Sequence, residues 1–382
     1  MKIKSFEFNM RELAGSMGDF GTLFPLAIGY IAVCGLNPAG LLIMMGLANI
    51  VTGLVYKLPM PIEPMKVLAV VAIAQRWTPS MIYASGFAMG VIWLIFTVTG
   101  IMGWITKYTP NTVVRGIQIA LGFLLAIEAV KMMSTWWIVG VASVVLVLVL
   151  RQNRYAPAAI VLMILGVAIT IFKGLLPEAG FHGISLPTAT GFSLKEVWQT
   201  LVLAGFAQIP LTATNAVIAT ALLIRTYWPE KPVSERKLSL NMGIMNLITP
   251  FFGGMPMCHG AGGLAGQYYY GARTGGTNIM EGMIEIGMGL FLCFSIAAFL
   301  TVFPTSIIGA MMFLVGVELI KFAKDIRFNK DIAPIGTTVV FSLLTNMAYG
   351  FLAGLAVYHA TIYFFGGGAI TELPHAPRNS RE

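Results

Sequence analysis

Two short runs of proline, glycine and polar residues interrupt an otherwise apolar chain, and they come as a matched pair. The first is Pro59-Met-Pro-Ile-Glu-Pro-Met-Lys66 and the second is Met255-Pro-Met-Cys-His-Gly-Ala-Gly-Gly-Leu-Ala-Gly266. In the first, Pro61 and Pro64 keep the chain out of helix until near the end of the run. In the second, Gly260, Gly262 and Gly263 let backbone approach a ligand or another backbone with no Cβ in the way. Each run therefore reads as an extended strand that turns into a half-helix. The amino end of a half-helix offers unpaired N–H groups and about half a positive charge. Two such ends facing one pocket would hold an anion with few cationic side chains. The alternative reading is a pair of kinks that serve only helix packing.

The polar side chains in and around these runs suit the same chemistry. Candidate substrate contacts are Glu63, Pro64 and Lys66 in the first run and His259, Gly260, Ala261, Gly262 and Gly263 in the second. Glu63 and Lys66, three apart, can pair on one helix face, or Lys66 can meet an oxyanion directly. His259 can bond substrate or titrate near neutral pH, or it is a satisfied structural histidine. Gln208, Thr212 and Asn215, at spacings of four and three, share a face of one helix and offer neutral donors; interhelical polar contact is the alternative. Thr22 joins the substrate set, and Asp19, between Gly18 and Gly21, joins Glu63 as a candidate carrier of a proton or other coupling ion. Asp19 capping an unwound turn is the competing reading. Glu128 and Glu318 each stand three before a Lys near a helix end and read as snorkelling side chains. Glu281 and Glu285 share one face, either as a buried hydrogen-bonded pair or as contributors to coupling.

Enzyme chemistry finds no support. His182, His259, His359 and His375 are the four histidines, no His-Glu-x-x-His run exists, and Cys34, Cys258 and Cys293 show no metal-ligand spacing. No cofactor is expected, and the cysteines read as packing residues.

The elements that must position these groups follow from composition. Of the 382 residues, 57% are hydrophobic and 10% charged, and the mean hydropathy is +0.82. Soluble chains carry about 25% charged residues, so this one belongs in a bilayer. A crossing takes about 20 apolar residues. Fourteen candidate spans fit: 13–33, 37–56, 62–75, 79–103, 112–132, 134–150, 156–173, 197–222, 236–252, 259–270, 277–301, 304–322, 332–346 and 348–366. The third and tenth are too short to cross. The amino end has no cleavable signal pattern. With that end inside and the spans alternating, all but five of the 24 Lys and Arg fall on the cytoplasmic side; Arg76, Lys131, Lys173 and Lys195 lie outside and Lys66 lies within the third span. The net charge of +8 is thus topology and gives no support to a nucleic-acid partner. Both termini are expected in the cytoplasm, in a cell membrane (the inner membrane if the source is bacterial).

Landmarks recur in order along the chain, as expected of an internally repeated transporter. Pro25 and Pro210 sit inside opening spans, Met60-Pro61 and Met255-Pro256 precede the short spans, and Pro110-Asn-Thr-Val-Val and Pro304-Thr-Ser-Ile-Ile open later ones. The step from Pro61 to Pro110 is 49 residues and from Pro256 to Pro304 is 48. The polar loop Pro229 to Lys237 absorbs the one unequal spacing. Seven spans per half is an odd number, so the second half is inverted. The expected fold is an all-α polytopic membrane protein of two inverted seven-span repeats, 1–176 and 197–371, joined by an extracytoplasmic loop 177–196 and closed by a disordered tail 372–382. Inversion implies alternating access to a site between the halves.

Leu13-Ala-Gly-Ser-Met-Gly-Asp-Phe-Gly-Thr-Leu-Phe-Pro25, the run ending at Lys66, Pro210-Leu-Thr-x-x-Asn215, and Cys258-His-Gly-Ala-Gly-Gly-Leu-Ala-Gly-Gln267 followed by Gly271-Ala-Arg273 resemble the molybdate transporter family, a branch of the sulfate permease (SulP) superfamily. The resemblance covers nearly the whole chain. It implies a core domain of spans 1–4 and 8–11, a gate domain of spans 5–7 and 12–14, and uptake of a tetrahedral oxyanion, molybdate before tungstate or sulfate. Many SulP members add a cytoplasmic STAS domain; this sequence closes about 16 residues past Gly366, and regulation through such a domain is not expected. Asn215 stands where many members carry an acid, and Glu63 stands where the molybdate branch implies Gln, which leaves the role of Glu63 open. Bicarbonate or nucleobase transport on the same architecture and an anion channel are the rival readings. A homodimer rests on analogy alone.

Overall fold

A computed structural model describes residues 2–3, 5–101, 108–150, 158–175, 183–321 and 332–365; within these, the side chains of 19–22, 147, 158–160 and 365 are outside the description. The loop residues Lys107, Arg151, Arg154, Lys324, Arg327 and Lys330 and the tail 372–382 lie outside the described residues.

The chain opens with a small hairpin, β1 (Lys2–Ile3) against β2 (Phe6–Glu7). Helix α1 (Met10–Ser16) follows, capped by Asn9, and passes through a 3-10 turn (Met17–Asp19) into α2 (Phe20–Ala32). Then come α3 (Pro38–Tyr56), β3 (Glu63–Pro64), α4 (Lys66–Gln75), α5 (Pro79–Thr99) and α6 (Asn111–Met133). Next are α7 (Trp137–Leu150), α8 (Ala158–Phe172) and the long helix α9 (Leu194–Tyr227). The last group is α10 (Glu235–Ile248), β4 (Met257–Cys258), α11 (Ala261–Tyr270), α12 (Gly276–Val302), α13 (Thr305–Lys321), α14 (Ile332–Leu344) and α15 (Met347–Phe365). Each of the fourteen expected spans contains a helix.

Local chemistry sets several helix ends. Asn37 accepts the N–H of Ala39 ahead of α3, Thr78 accepts that of Met81 ahead of α5, and Pro stands at the first helical position of both. Lys57 (φ 57°) and Gly100 (φ 68°) close those helices in the left-handed region. Six of the described helical stretches are long and apolar enough to cross a membrane: α3, α5, residues 111–150, α9, α12 and α15. Large apolar side chains such as Ile138, Val149, Phe172, Leu344 and Tyr363 are turned outward, as a lipid-facing surface requires. The chain is a multi-pass membrane protein.

Three boundaries differ from expectation. The loop expected to reach 196 ends earlier, because Ser193 and Glu196 form a capping box that starts α9 at Leu194. Helix α9 continues to Tyr227, with two π-helical stretches, 201–205 and 212–219, on either side of Pro210. Span 9 is helical only to Ile248 and closes in a 3-10 turn, Thr249–Phe252.

The halves of the chain interleave. Helix α3 packs along α12, α10 along α5, and α6 along α13. Close backbone approach makes this possible: a Cβ on Gly46 would lie 2.6 Å from the Gly282 carbonyl oxygen, and one on Gly53 2.6 Å from that of Gly275.

Candidate functional site

The prolines do what their chemistry requires. Residues 60–65 and 255–258 stay extended, and β3 pairs with β4 antiparallel, Glu63 opposite Cys258 and Pro64 opposite Met257. The Met65 N–H donates to the Pro256 carbonyl at 2.9 Å. Because the strands run in opposite directions, α4 and α11 leave the pair on opposite sides with their amino ends turned to it. Two asparagines brace the strands as a neighbouring strand would. Asn278 takes the N–H of Met60 (2.9 Å) and donates to its carbonyl (2.6 Å); Asn246 does the same for Met257 (2.8 and 2.6 Å).

Charge gathers at this junction. Glu63, 1% exposed, pairs with Lys66, Nζ to Oε2 at 2.9 Å. The carboxylate lies against the first turn of α11: a Cβ on Gly260 would sit 2.8 Å from Oε2, and one on Gly263 would overlap Oε1. Glu63 thus stands between an ammonium group and the positive end of a helix with no side-chain cap. On the far side, Ala261 is partly exposed and Gly262 exposed, so this helix end is accessible there.

The two half-helix ends are not equivalent. At α4 the Gln208 carbonyl accepts the N–H groups of Val67 (2.8 Å) and Leu68 (3.3 Å), while its amide donates to Thr212 Oγ1 (2.6 Å). Gln208, expected to face substrate, caps α4 instead, taking the N–H groups of Val67 and Leu68, and Thr212 holds the Gln208 amide from behind. Asn215, expected on the same face, is half-exposed and lies in the π-helical stretch. Replacing Gln208 with Leu is expected to strand two buried N–H groups, cost about 1–3 kcal/mol each, and lower both the thermal midpoint in detergent and the uptake rate; an unchanged midpoint would show the cap to be dispensable.

His259 has both ring nitrogens engaged. Pro61 O can only accept, so Nδ1 (3.2 Å) donates to it, and Nε2 accepts from Asn241 Nδ2 (3.2 Å), which also donates to Thr52 Oγ1 (3.0 Å). Tyr56 closes on the ring edge-on, centroids 5.7 Å apart. In this arrangement His259, just after β4, is tied to Pro61, just ahead of β3, with both ring nitrogens occupied. The side chains of Asp19 and Thr22 lie outside the described residues. Their backbone forms the 3-10 turn and the first turn of α2, and Gly18 packs on the Gly266–Gln267 backbone of α11.

Glu128 is buried rather than snorkelling: Lys131 (3.5 Å) and Arg76 (3.8 Å), the residue that ends α4, pair with it. Glu318 pairs with Lys321. Glu12 has a functional part not assigned from the sequence: its buried carboxylate accepts the N–H groups of Arg273 and Thr274 (both 3.1 Å) and the Thr277 hydroxyl, fastening α1 to the link after α11. Its signal was Asn9-x-x-Glu12, a capping pattern. One brace had a signal too: Met242-Gly-x-x-Asn246 repeats Met45-Gly-x-x-Asn49, whose asparagine bonds the other brace, Asn278. Among the described residues no three of His, Cys, Asp and Glu gather as a metal site.

Comparison with known proteins adds three findings. A family model described as "Molybdate transporter of MFS superfamily" matches residues 11–125 and 200–319. Molybdate transporter 1 of Arabidopsis thaliana is 32% identical over 405 residues, spanning 92% of this chain and 88% of that protein. Two solved structures share the fold. SLC26A9 superposes with a TM-score of 0.71 at 13% identity, covering 97% of this chain and 67% of its own; the transmembrane domain of a cyanobacterial bicarbonate transporter, BicA, gives 0.67 at 16%, covering 90% and 97%.

Proposed function

Because this chain belongs to the molybdate transporter family, a family of transporters and not of enzymes, we propose that it takes up a tetrahedral oxyanion, molybdate first, by alternating access to a site at the first turn of α11. The observation that carries this reading is the β3–β4 pair, which brings Lys66 and the uncapped amino end of α11 to one junction. The N–H groups of Ala261, Gly262 and Gly263 would hold two oxygens of the ion, Lys66 would supply the balancing charge, and Asn215 would donate from α9. Two inverted seven-span halves, with core and gate domains and both termini in the cytoplasm, form the architecture that this mechanism needs.

Glu63 gives the mechanism its coupling. Its carboxylate lies beside the first turn of α11, where an oxyanion would bind. Two unit charges of like sign about 4 Å apart repel by about 4 kcal/mol at an effective dielectric of 20, and molybdate brings two. Entry of the dianion is therefore favoured when Glu63 carries a proton, which makes the cycle a proton–oxyanion symport, with Asp19 as a second carrier. Tungstate and sulfate have the same charge and shape and would compete.

The test is uptake of labelled molybdate and sulfate into proteoliposomes, with and without an inward proton gradient. Saturable molybdate uptake, blocked by tungstate and stimulated by the gradient, is expected. Asn215→Ala should lower it about tenfold, the worth of one hydrogen bond to a charged group. Flux that never saturates would replace the carrier with a channel, and Asp19→Asn with its gradient response intact would remove Asp19 from the coupling.

A further inference from the structure

The strand that carries Glu63 is held by a chain of buried amides that ends in an acid. Met60 N–H can only donate and Met60 C=O can only accept, so the backbone fixes Asn278 with Oδ1 toward the first (2.9 Å) and Nδ2 toward the second (2.6 Å). The remaining hydrogen on Asn278 Nδ2 needs an acceptor and finds Asn49 Oδ1 at 2.8 Å. That turns Asn49 Nδ2 outward, where it meets Glu285 Oε2 at 2.9 Å. Asn49 and Asn278 are fully buried and Glu285 is nearly so. Each orientation follows from the one before it, beginning at backbone atoms whose polarity is not adjustable.

We propose that Asn278, Asn49 and Glu285 are positioning residues, a relay of fixed polarity that sets Met60–Pro61 and so places Glu63 and Lys66 at the first turn of α11. The relay spans α3 and α12, and it grips the strand on one side while His259 holds Pro61 on the other. Glu285 matters as the terminal acceptor. Without one, Asn49 would be free to flip, Asn278 would lose its third bond, and the strand would be held less tightly. This deepens the proposed transport function and rests on it for its effect on uptake; its effect on the strand does not depend on that function.

Polarity is the property to test, because it can be reversed. Asn49→Asp sets two carboxylates face to face at the Glu285 end. Adding Glu285→Gln supplies an amide that can donate to the new acid and restores the order downstream. In the full chain in detergent, Asn49→Asp is expected to speed hydrogen exchange of the Met60, Ile62 and Glu63 amides by about tenfold or more, and in proteoliposomes to raise the KM for molybdate by about as much, the equivalent of one lost buried bond. The double variant should return both to within about threefold of the parent. A buried group that only fills space would gain nothing from the second substitution. Exchange in Asn49→Asp as slow as in the parent, or a double variant as fast as the single, would overturn the proposal. If Asn49→Asp does not accumulate, Asn49→Leu removes the relay without a second charge; it should show the same fast exchange, with no rescue by Glu285→Gln, and slow exchange there would also overturn it. Rescued exchange in a protein that carries no molybdate would leave the relay standing and remove the substrate.

Discussion

Lys66→Met should abolish molybdate uptake and destabilise the protein, and adding Glu63→Gln should recover the stability alone. Glu63 is 1% exposed and its ammonium partner lies 2.9 Å away. Removing one member of a buried pair leaves an uncompensated charge, at a cost of about 3–5 kcal/mol. Neutralising the carboxylate removes that penalty, because an amide of the same shape needs only hydrogen bonds. Uptake should stay lost in the double variant, since a dianion at this site would then face helix ends with no full positive charge beside them. Thermal midpoints in detergent and initial uptake rates, read on the same preparations, separate the two effects. A double variant that transports normally would show Lys66 to be structural and would move the anion elsewhere.

The second large effect is expected at Gly263. A methyl group there would overlap Glu63 Oε1 and come within 2.9 Å of the Pro61 Cβ. Neither neighbour can retreat cheaply: Lys66 pins the carboxylate, and Pro61 is tied through its carbonyl to His259 and through Met60 to Asn278. The strand and the first turn of α11 must separate instead. Misplacement of a binding group by about 1 Å can cost about a hundredfold in rate, so Gly263→Ala should reduce uptake by that order. Gly287→Ala is the matched control, with nothing within 4 Å of its added Cβ; it should transport normally and gain up to about 1 kcal/mol from helix propensity. Equal activity in the two would mean that the junction is looser than its packing implies.

What the sequence revealed and what it hid divide along physical lines. Hydrophobic runs and their breakers are local, so the spans and the two interruptions around Pro61 and Pro256 could be read directly. The Glu63–Lys66 pair lay within one turn and was equally accessible. Gln208 was assigned the right neighbourhood and the wrong partner, because its bond to Val67 joins residues 141 apart and depends on how α9 lies against α4. Asn215 was placed by a period of 3.6, and it lies in the π-helical stretch after Pro210, where that period does not hold. Glu128 looked like a surface acid because nothing in its own helix announces that Arg76, at the end of α4, reaches it. His259 was visible as polar and titratable, yet its partners Asn241 and Pro61 come from other elements.

The glycine crossings of α3 with α12 have a consequence for how such a molecule is made. Neither half of the chain possesses a finished interior, since α3 from the first half and α10 from the second are each completed by a helix of the other. During synthesis the first half must wait in the bilayer with a bare backbone groove until the second arrives. The protein is thus assembled less like two beads on a string than like a clasp, whose parts have no closed form until they meet.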